Sequence, residues 1–236
     1  MDRSTLPSIE TPRRWPGHRA RARQRGFTLI ELTVVVILVG VFAAMAIPQV
    51  TVQLRDRRVH EMAQRVALIY QQARLRAMGQ GGAILVHYDN TTGSGKGVFV
   101  TKEGLVGGTQ TNPCALGPVS NCSAVNWTDG NTQNRTIESV DVGTEPGLND
   151  TAQNLPVAVY AELTPDSAAQ SSAVMELCFT PLGRSFVRYG TTGPFSALTG
   201  VPQFSVFRGA SSATPTTDSR VRTVLILPTG TARLAL

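Results

Sequence analysis

Apolar residues dominate one continuous stretch near the start of the chain, and polar residues interrupt them regularly afterwards. The segment Leu32–Leu54 contains 23 residues and no charge; as an α-helix it would extend roughly 34 Å, enough to cross a bilayer core. Over Val50–Met78, apolar residues recur at helical spacing with charged residues mostly between them. Glycines at 79, 81 and 82 are expected to end the helix. The pattern predicts one helix of about fifty residues, apolar in its first half and amphipathic in its second.

Beyond residue 82, apolar and polar residues alternate in short segments, the pattern of β-strands. Residues 103–154 are polar, rich in Gly and Asn and weakly patterned, so we interpret them as a loop-rich insertion with one short strand. An antiparallel sheet laid on the amphipathic half-helix would bury the apolar face of that helix. The fold class predicted is therefore α+β. The segments predicted as strands are Ala83–Asp89, Val98–Lys102, Thr136–Val142, Leu155–Leu163, Val174–Thr180, Ser185–Tyr189, Gln203–Arg208 and Thr223–Leu227.

Two late segments resemble each other. Cys178–Arg184 and Leu225–Thr231 both place Pro-x-Gly after an apolar strand pattern. Proline sets the first turn position and glycine permits a positive φ two residues later, so each segment predicts a β-hairpin.

Composition excludes one broad class of protein, and the distribution of charge weakens the case for another. With 42% apolar and 16% charged residues, the chain is not wholly disordered. The net charge of +6 invites a nucleic-acid interpretation, but residues 1–26 alone carry seven arginines against Asp2 and Glu10. The remaining 210 residues therefore have a net charge of only +1. The basic N-terminal segment before the apolar stretch favours a cytoplasmic N-terminus and an exported remainder.

Three interpretations of the N-terminus are open on residue patterns alone. Ala44-Met45-Ala46 is a possible signal-peptidase site that would release the chain from Ile47 onward. The second is an ordinary membrane anchor. The apolar stretch is longer than a usual signal core, and Glu31 lies near its start, where a membrane carboxylate costs free energy and marks a function. The third interpretation is a membrane helix in which Glu31 has a specific function.

The residues Arg25-Gly26-Phe27-Thr28-Leu29-Ile30-Glu31-Leu32 closely resemble the type IV prepilin processing motif. The resemblance implies that a prepilin peptidase cleaves between Gly26 and Phe27 and that the new Phe27 amine is N-methylated. It also implies that Glu31 neutralises the Phe27 amine of a neighbouring subunit during assembly. An unpaired carboxylate and an unpaired ammonium are each costly among packed helices, and pairing relieves both costs.

With the helix end Leu68–Ala77 and the two late hairpins, the chain resembles the GspH/FimT branch of minor pilins and pseudopilins. That resemblance implies a type IV pilin-like lollipop, a long N-terminal helix packed on an antiparallel β-sheet domain. The implied parts are a leader that is removed (1–26), a transmembrane and assembly half-helix (27–50), an amphipathic half-helix (51–80) and a β-rich domain (83–236).

The family also implies partners and a location. The partners expected are a prepilin peptidase, other minor pilins or pseudopilins, and the major subunit. The location expected is the bacterial inner membrane, single-pass, with the C-terminal domain periplasmic, followed by incorporation into a pilus or pseudopilus. The function expected is that of a non-catalytic subunit which helps to prime and assemble the filament at or near its tip.

Two other functions are alternatives. Some FimT-like minor pilins bind DNA through a C-terminal Gly-Arg-x-Arg turn. Here the matching residues are Gly230-Thr231-Ala232-Arg233, so one arginine is missing and Arg233 remains, with Arg184 and Arg188 as further candidates. The other alternative is a cleaved or anchored periplasmic protein of unknown role.

Catalytic, metal and cofactor patterns do not emerge from the sequence. The three histidines lack the spacing of metal ligands, and no phosphate-binding loop or nucleophile motif stands out. We therefore expect no enzyme, no metal and no cofactor. In an exported protein, Cys114 and Cys122 are expected to form a loop disulfide, which would leave Cys178 as a small buried apolar residue.

Overall fold

The computed structural model describes residues 27–106, 117–144, 158–211, 214–215 and 219–235. The chain divides into two units, Met1–Ile47 and Pro48–Leu236. Helix α1, Leu29–Gln80, has 52 residues and confirms the predicted long helix. It ends where Gly81 adopts a φ of +71° and its N–H donates to the Ala77 carbonyl at 3.2 Å, a conformation that glycine adopts without steric cost.

Antiparallel strands are the main regular elements in the rest of the described chain. Each predicted strand is present, with bounds shifted by a few residues at most where both ends are described. Two two-residue strands were not predicted, and the last strand was predicted only as the second strand of the late hairpin. The strands are β1 (Ile84–Asp89), β2 (Val98–Gly104), β3 (Asn134–Asp141), β4 (Ala158–Thr164), β5 (Val174–Phe179), β6 (Ser185–Tyr189), β7 (Ser196–Ala197), β8 (Gln203–Ser211), β9 (Thr214–Pro215), β10 (Arg222–Ile226) and β11 (Ala232–Ala235).

The strands form two sheets. Sheet A has six strands in the order β3-β2-β1-β5-β6-β7, and sheet B has the order β11-β10-β8-β4, with β9 paired to β8. Neighbouring strands are antiparallel throughout both sheets. The architecture confirms the α+β fold class.

One hydrophobic core joins the second half of α1 to both sheets. At its centre four aromatic rings meet: the Phe204 ring centroid lies 5.6 Å from Tyr70, 4.9 Å from Tyr88 and 5.3 Å from Phe99. Such contacts stabilise a core beyond simple area burial. The second half of the helix contributes one apolar face to this core. Its buried residues are Val59, Met62, Ala63, Val66, Ala67, Ile69, Tyr70, Ala73 and Ala77.

The two Pro-x-Gly segments form nearly identical hairpins, as predicted. In one, Gly183 N–H donates to the Thr180 carbonyl at 2.9 Å; in the other, Gly230 N–H donates to Leu227 at 2.7 Å. Both glycines have φ near +75°, which permits a tight turn followed by a bulge. The turns also contact each other, since the Ser185 hydroxyl donates to the Pro228 carbonyl at 2.8 Å. The two late hairpins therefore bring the ends of sheets A and B together.

The described part of the insertion crosses the face of sheet A that is remote from α1. We call residues 117–133 the strap. It begins beside β2, where the Ala83 N–H donates to the Val119 carbonyl, and it returns at Gln133, whose carbonyl accepts from Leu105 N–H at 2.8 Å. Its apolar side chains lie on the apolar residues of this outer face, in a second cluster made of Ala83, Leu85, Cys122, Val125, Trp127 and Cys178.

The disulfide prediction was wrong. Cys122 of the strap is bonded to Cys178 of β5, with a Cα–Cα distance of 6.0 Å and a sequence separation of 56, whereas Cys114 lies outside the described residues. Proximity in sequence favoured the Cys114–Cys122 loop. The fold instead carries the strap over the outward-facing side chain of Cys178, and this contact decides the pairing.

Candidate functional site

The start of α1 carries the residues on which the sequence motif depends. Phe27 precedes the helix and is 82% exposed. Thr28 caps the helix: its hydroxyl accepts the backbone N–H of Glu31 at 3.3 Å, and its carbonyl accepts the N–H of Leu32 at 3.2 Å. Gly26 lies outside the described residues.

The cap gives Thr28 and Glu31 a local role that the motif alone does not reveal. Thr-x-x-Glu is the pattern of a capping box, in which threonine accepts from the third helical N–H. A carboxylate in the first turn is also stabilised by the partial positive charge at a helix N-terminus. Glu31 thus lies close in sequence to the Phe27 backbone nitrogen, at the end of the helix that attracts negative charge. The sequence contains this capping pattern at Thr28 and Glu31, although the motif alone did not lead to its prediction.

In the first half of α1, large apolar side chains are exposed on all sides of the helix. Between Leu29 and Met45 their exposed fractions range from 49% to 81%. An apolar surface of this extent marks a site of contact with other molecules. Among the described residues, no helix meets the length and hydropathy expected of a membrane span.

The three arginines considered for DNA contact have different surroundings. Arg184 and Arg233 are exposed near the two late turns. Arg188 is engaged within the protein: its Nε donates to Glu176 Oε2 at 2.8 Å, and its guanidinium lies 4.4 Å from the centroid of the Phe195 ring. Arg188 therefore does not belong to a free basic surface.

A polar row crosses the outer face of sheet A beside the strap. His87, Glu176 and Arg188 lie opposite one another on β1, β5 and β6. One carboxylate serves both neighbours, because Glu176 also contacts His87 Nδ1 at 3.0 Å. The Glu176 side chain is only 4% exposed, and an isolated carboxylate at that depth would be costly. The row is therefore a satisfied charge cluster.

The polar row forms the floor of a cleft of about 640 Å³. One wall is the strap, held by Lys102, whose Nζ donates to the Trp127 carbonyl at 2.9 Å and pairs with Asp129 at 2.7 Å. The opposite wall includes Thr191 and Thr192. Sequence analysis did not identify this cleft, because its parts come from four strands and two loops.

Asp89 continues the outer face of β1 two residues beyond His87 and also lines the cleft. Its Oδ1 accepts the backbone N–H of Thr91 at 2.6 Å and the Thr91 hydroxyl at 2.7 Å. Burial acts to raise the pKa of Asp89, but these hydrogen bonds, aided by Thr92 and His87, hold it below its ordinary value. Asp89 is accordingly ionised at neutral pH.

Within the described part of the chain, no group of three or more His, Cys, Asp or Glu side chains is arranged to hold a metal ion. The described contacts among the residues that line the cleft are hydrogen bonds and ion pairs. At the start of α1, the reactive groups are the Glu31 carboxylate and the Phe27 amine that cleavage after Gly26 would create.

Comparison with known proteins bears on the helix start. The family model of the prokaryotic N-terminal methylation motif matches residues 21–47. No curated protein and no solved structure matches the chain. The motif supports a type IV pilin-like protein and implies processing by a prepilin peptidase, an N-terminal hydrophobic anchor and assembly with other pilins.

Proposed function

We propose that this chain is a minor type IV pilin or type II secretion pseudopilin of the GspH/FimT kind. It acts as a non-catalytic subunit that helps to prime and assemble a pilus or pseudopilus at or near its tip. The proposal depends on a single observation: the methylation motif over residues 21–47 coincides with the start of a capped helix whose apolar side chains are exposed.

Processing is the first step of the proposed mechanism. A prepilin peptidase hydrolyses the Gly26–Phe27 bond, which leaves a free amine on Phe27 for N-methylation. Since Phe27 lies outside the helix and is largely exposed, the new chain end is accessible. The leader takes with it seven arginines and most of the net positive charge.

Assembly is the second step. Residues 27–50 hold the subunit in the inner membrane, with the leader in the cytoplasm and the sheet domain in the periplasm, until it joins the filament. The exposed apolar side chains of α1 then pack against helices of other subunits, since an all-round apolar helix is stable only when buried. Glu31 pairs with the Phe27 amine of a neighbouring subunit, which sets the register of the bundle.

The proposal of the GspH/FimT branch rests on two features that carry the resemblance to it. The helix end Leu68–Ala77 leads into β1, and two Pro-x-Gly hairpins close sheets A and B side by side. The DNA-binding alternative has less support, because Arg188 is engaged by Glu176 and the last turn carries Thr231 where an arginine would be needed.

The test is the mass and N-terminal sequence of the mature protein from cells with and without a prepilin peptidase. We expect a chain that starts at N-methylated Phe27 only when the peptidase is present. A chain that starts at Ile47, or at Met1 in both strains, would contradict the proposal and favour a cleaved or anchored periplasmic protein.

Glu31→Gln tests the assembly step separately. Glutamine preserves the shape of the side chain but removes its charge, so we expect normal cleavage and at least about a tenfold loss of the protein from sheared filament fractions. Glu61→Gln is the matched control, because Glu61 is an exposed carboxylate on the same helix. Equal incorporation of both variants would show that Glu31 has no role in assembly.

A further inference from the structure

The charges that line the cleft on sheet A do not balance. Lys102 pairs with Asp129, and Arg188 pairs with Glu176. The fifth formally charged side chain, Asp89, has no cation in ion-pair contact among the described residues. Among the described residues, Asp89 is thus the lining carboxylate without an ion pair, whereas His87, Glu176 and Arg188 on the floor contact one another.

We infer that the cleft receives the ammonium or guanidinium group of a lysine or arginine side chain from a neighbouring protein subunit. Asp89 supplies the countercharge. The hydroxyls of Thr191 and Thr192, and the amide of Asn126, line the cleft as hydrogen-bonding groups.

Three observations favour a cation over other ligands. An anion would meet an excess of carboxylates, since the two cations are already paired within the protein. A metal ion lacks a suitable set of ligands in the described residues. An apolar ligand would cover the Asp89 carboxylate without supplying a countercharge, which costs free energy.

The choice of a protein side chain over a free amine rests on the proposed function, in which subunits lie side by side. The cleft is lined by residues of the strap and by the exposed Thr191 and Thr192. Subunit packing presents a side chain there at high effective concentration, so one charge pair contributes without strong affinity of its own.

The strap forms a fixed wall of the cleft, because several contacts hold it against the sheet. The Cys122–Cys178 bond, the Trp127 Nε1–H bond to the Cys122 carbonyl at 2.8 Å and the Lys102 contacts hold it against the sheet. The wall that faces the ligand is therefore organised before binding, which lowers the entropic cost of association.

The experiment is a titration of the full mature chain in detergent micelles with N-acetyl-lysine amide and N-acetyl-arginine amide. Backbone amide NMR shifts of residues 125–129 and 191–192 report occupancy. N-acetyl-norleucine amide and N-acetyl-glutamate amide are the uncharged and anionic controls. We expect saturable shifts with the two cations alone.

Asp89→Asn is the decisive variant. Asparagine retains the Oδ1 that accepts both Thr91 hydrogen bonds, so the fold is preserved while the charge is lost. We expect at least about a tenfold loss of affinity. Glu138→Gln, on β3 and outside the cleft, should leave binding unchanged. If Asp89→Asn does not fold, Thr192→Lys at an exposed position should abolish binding by supplying the cation from within.

Three outcomes would overturn the inference: equal shifts with the norleucine or glutamate amide, unchanged affinity in Asp89→Asn or Thr192→Lys, or tighter binding of free putrescine than of the two capped amino acids. The last result would assign the cleft to a small amine. None of them affects the mass of the mature chain, so failure here is distinguishable from failure of the proposed function.

Discussion

The two faces of sheet A are buried by different means. The inner face carries Val86, Tyr88 and Phe99, which pack against helix α1 and sheet B in the main core. The outer face carries an apolar row around Leu85 and Cys178 under the strap, and then the polar row of the cleft. One face is thus closed by regular elements, and the other by a disulfide-bonded loop that covers it only in part.

The difference shows how a sheet can serve stability and recognition at once. Regular elements cover most apolar side chains of the inner face, which favours apolar burial. The strap covers the outer face only in part, so charged side chains beside it remain close to solvent yet shielded enough to interact strongly. Changes on the inner face should therefore reduce stability most, whereas changes on the outer face should affect stability less and binding more.

Tyr88→Ala should have the largest effect. Tyr88 is fully buried among Phe99 and Phe204, and removal of a buried ring costs about 3–5 kcal/mol of unfolding free energy. Ser139→Ala, at an exposed position of β3, should change it by less than about 0.5 kcal/mol. Urea unfolding of the purified chain measures both. Similar losses in the two variants would refute the central place of the inner face.

The disulfide comes next in expected effect. Cys122→Ser with Cys178→Ser should lower the free energy of unfolding by about 2–5 kcal/mol, because the strap is no longer tied to the sheet and the unfolded chain gains freedom.

Cys114→Ser is the matched control for the disulfide pair. It should leave both the stability and the Cys122–Cys178 bond intact, as shown by mass mapping of unreduced peptides. Recovery of a Cys114–Cys122 peptide from the wild-type chain would restore the pairing expected from sequence.

Two conservative tyrosine variants should have smaller effects of opposite sign. The Tyr88 hydroxyl donates to the Ala161 carbonyl at 2.7 Å, so Tyr88→Phe should cost about 1 kcal/mol. The buried Tyr70 hydroxyl has no hydrogen-bond partner among the described residues, so Tyr70→Phe should stabilise the fold by up to about 1 kcal/mol. Thermal unfolding compares them directly; destabilisation by both would mean that Tyr70 has a polar partner.

The smallest expected effect is the pH dependence due to Asp89 on the outer face. Its pKa is lower in the folded protein than in the unfolded chain, so it stabilises the fold at neutral pH. That contribution is lost as the pH falls below the ordinary aspartate pKa and through the lower folded value. The wild type should therefore lose more stability than Asp89→Asn between pH 6 and pH 3. Parallel pH profiles of the two proteins would contradict this assignment.

Local patterns predicted the regular part of the fold well. The helix, the strands of sheet A other than β7, and both Pro-x-Gly hairpins follow from periodicity and turn chemistry that act over a few residues. Burial of β1 on both faces was not predicted, although Ile84, Leu85 and Val86 form a continuous apolar run. The helix start was also readable, because the Thr28-x-x-Glu31 cap is a local signal.

What the sequence determined by itself was the set of elements, the processing motif and the division of α1 into an apolar and an amphipathic half, since each depends on spacing within one segment. The contacts between residues distant in sequence depend on the tertiary structure. Cys122 is bonded to Cys178 at a sequence separation of 56, and Arg188 forms an ion pair with Glu176. Asp89 lies in a cleft and has no ion pair among the described residues. Such contacts depend on strand order and on the path of the strap, which no local pattern specifies.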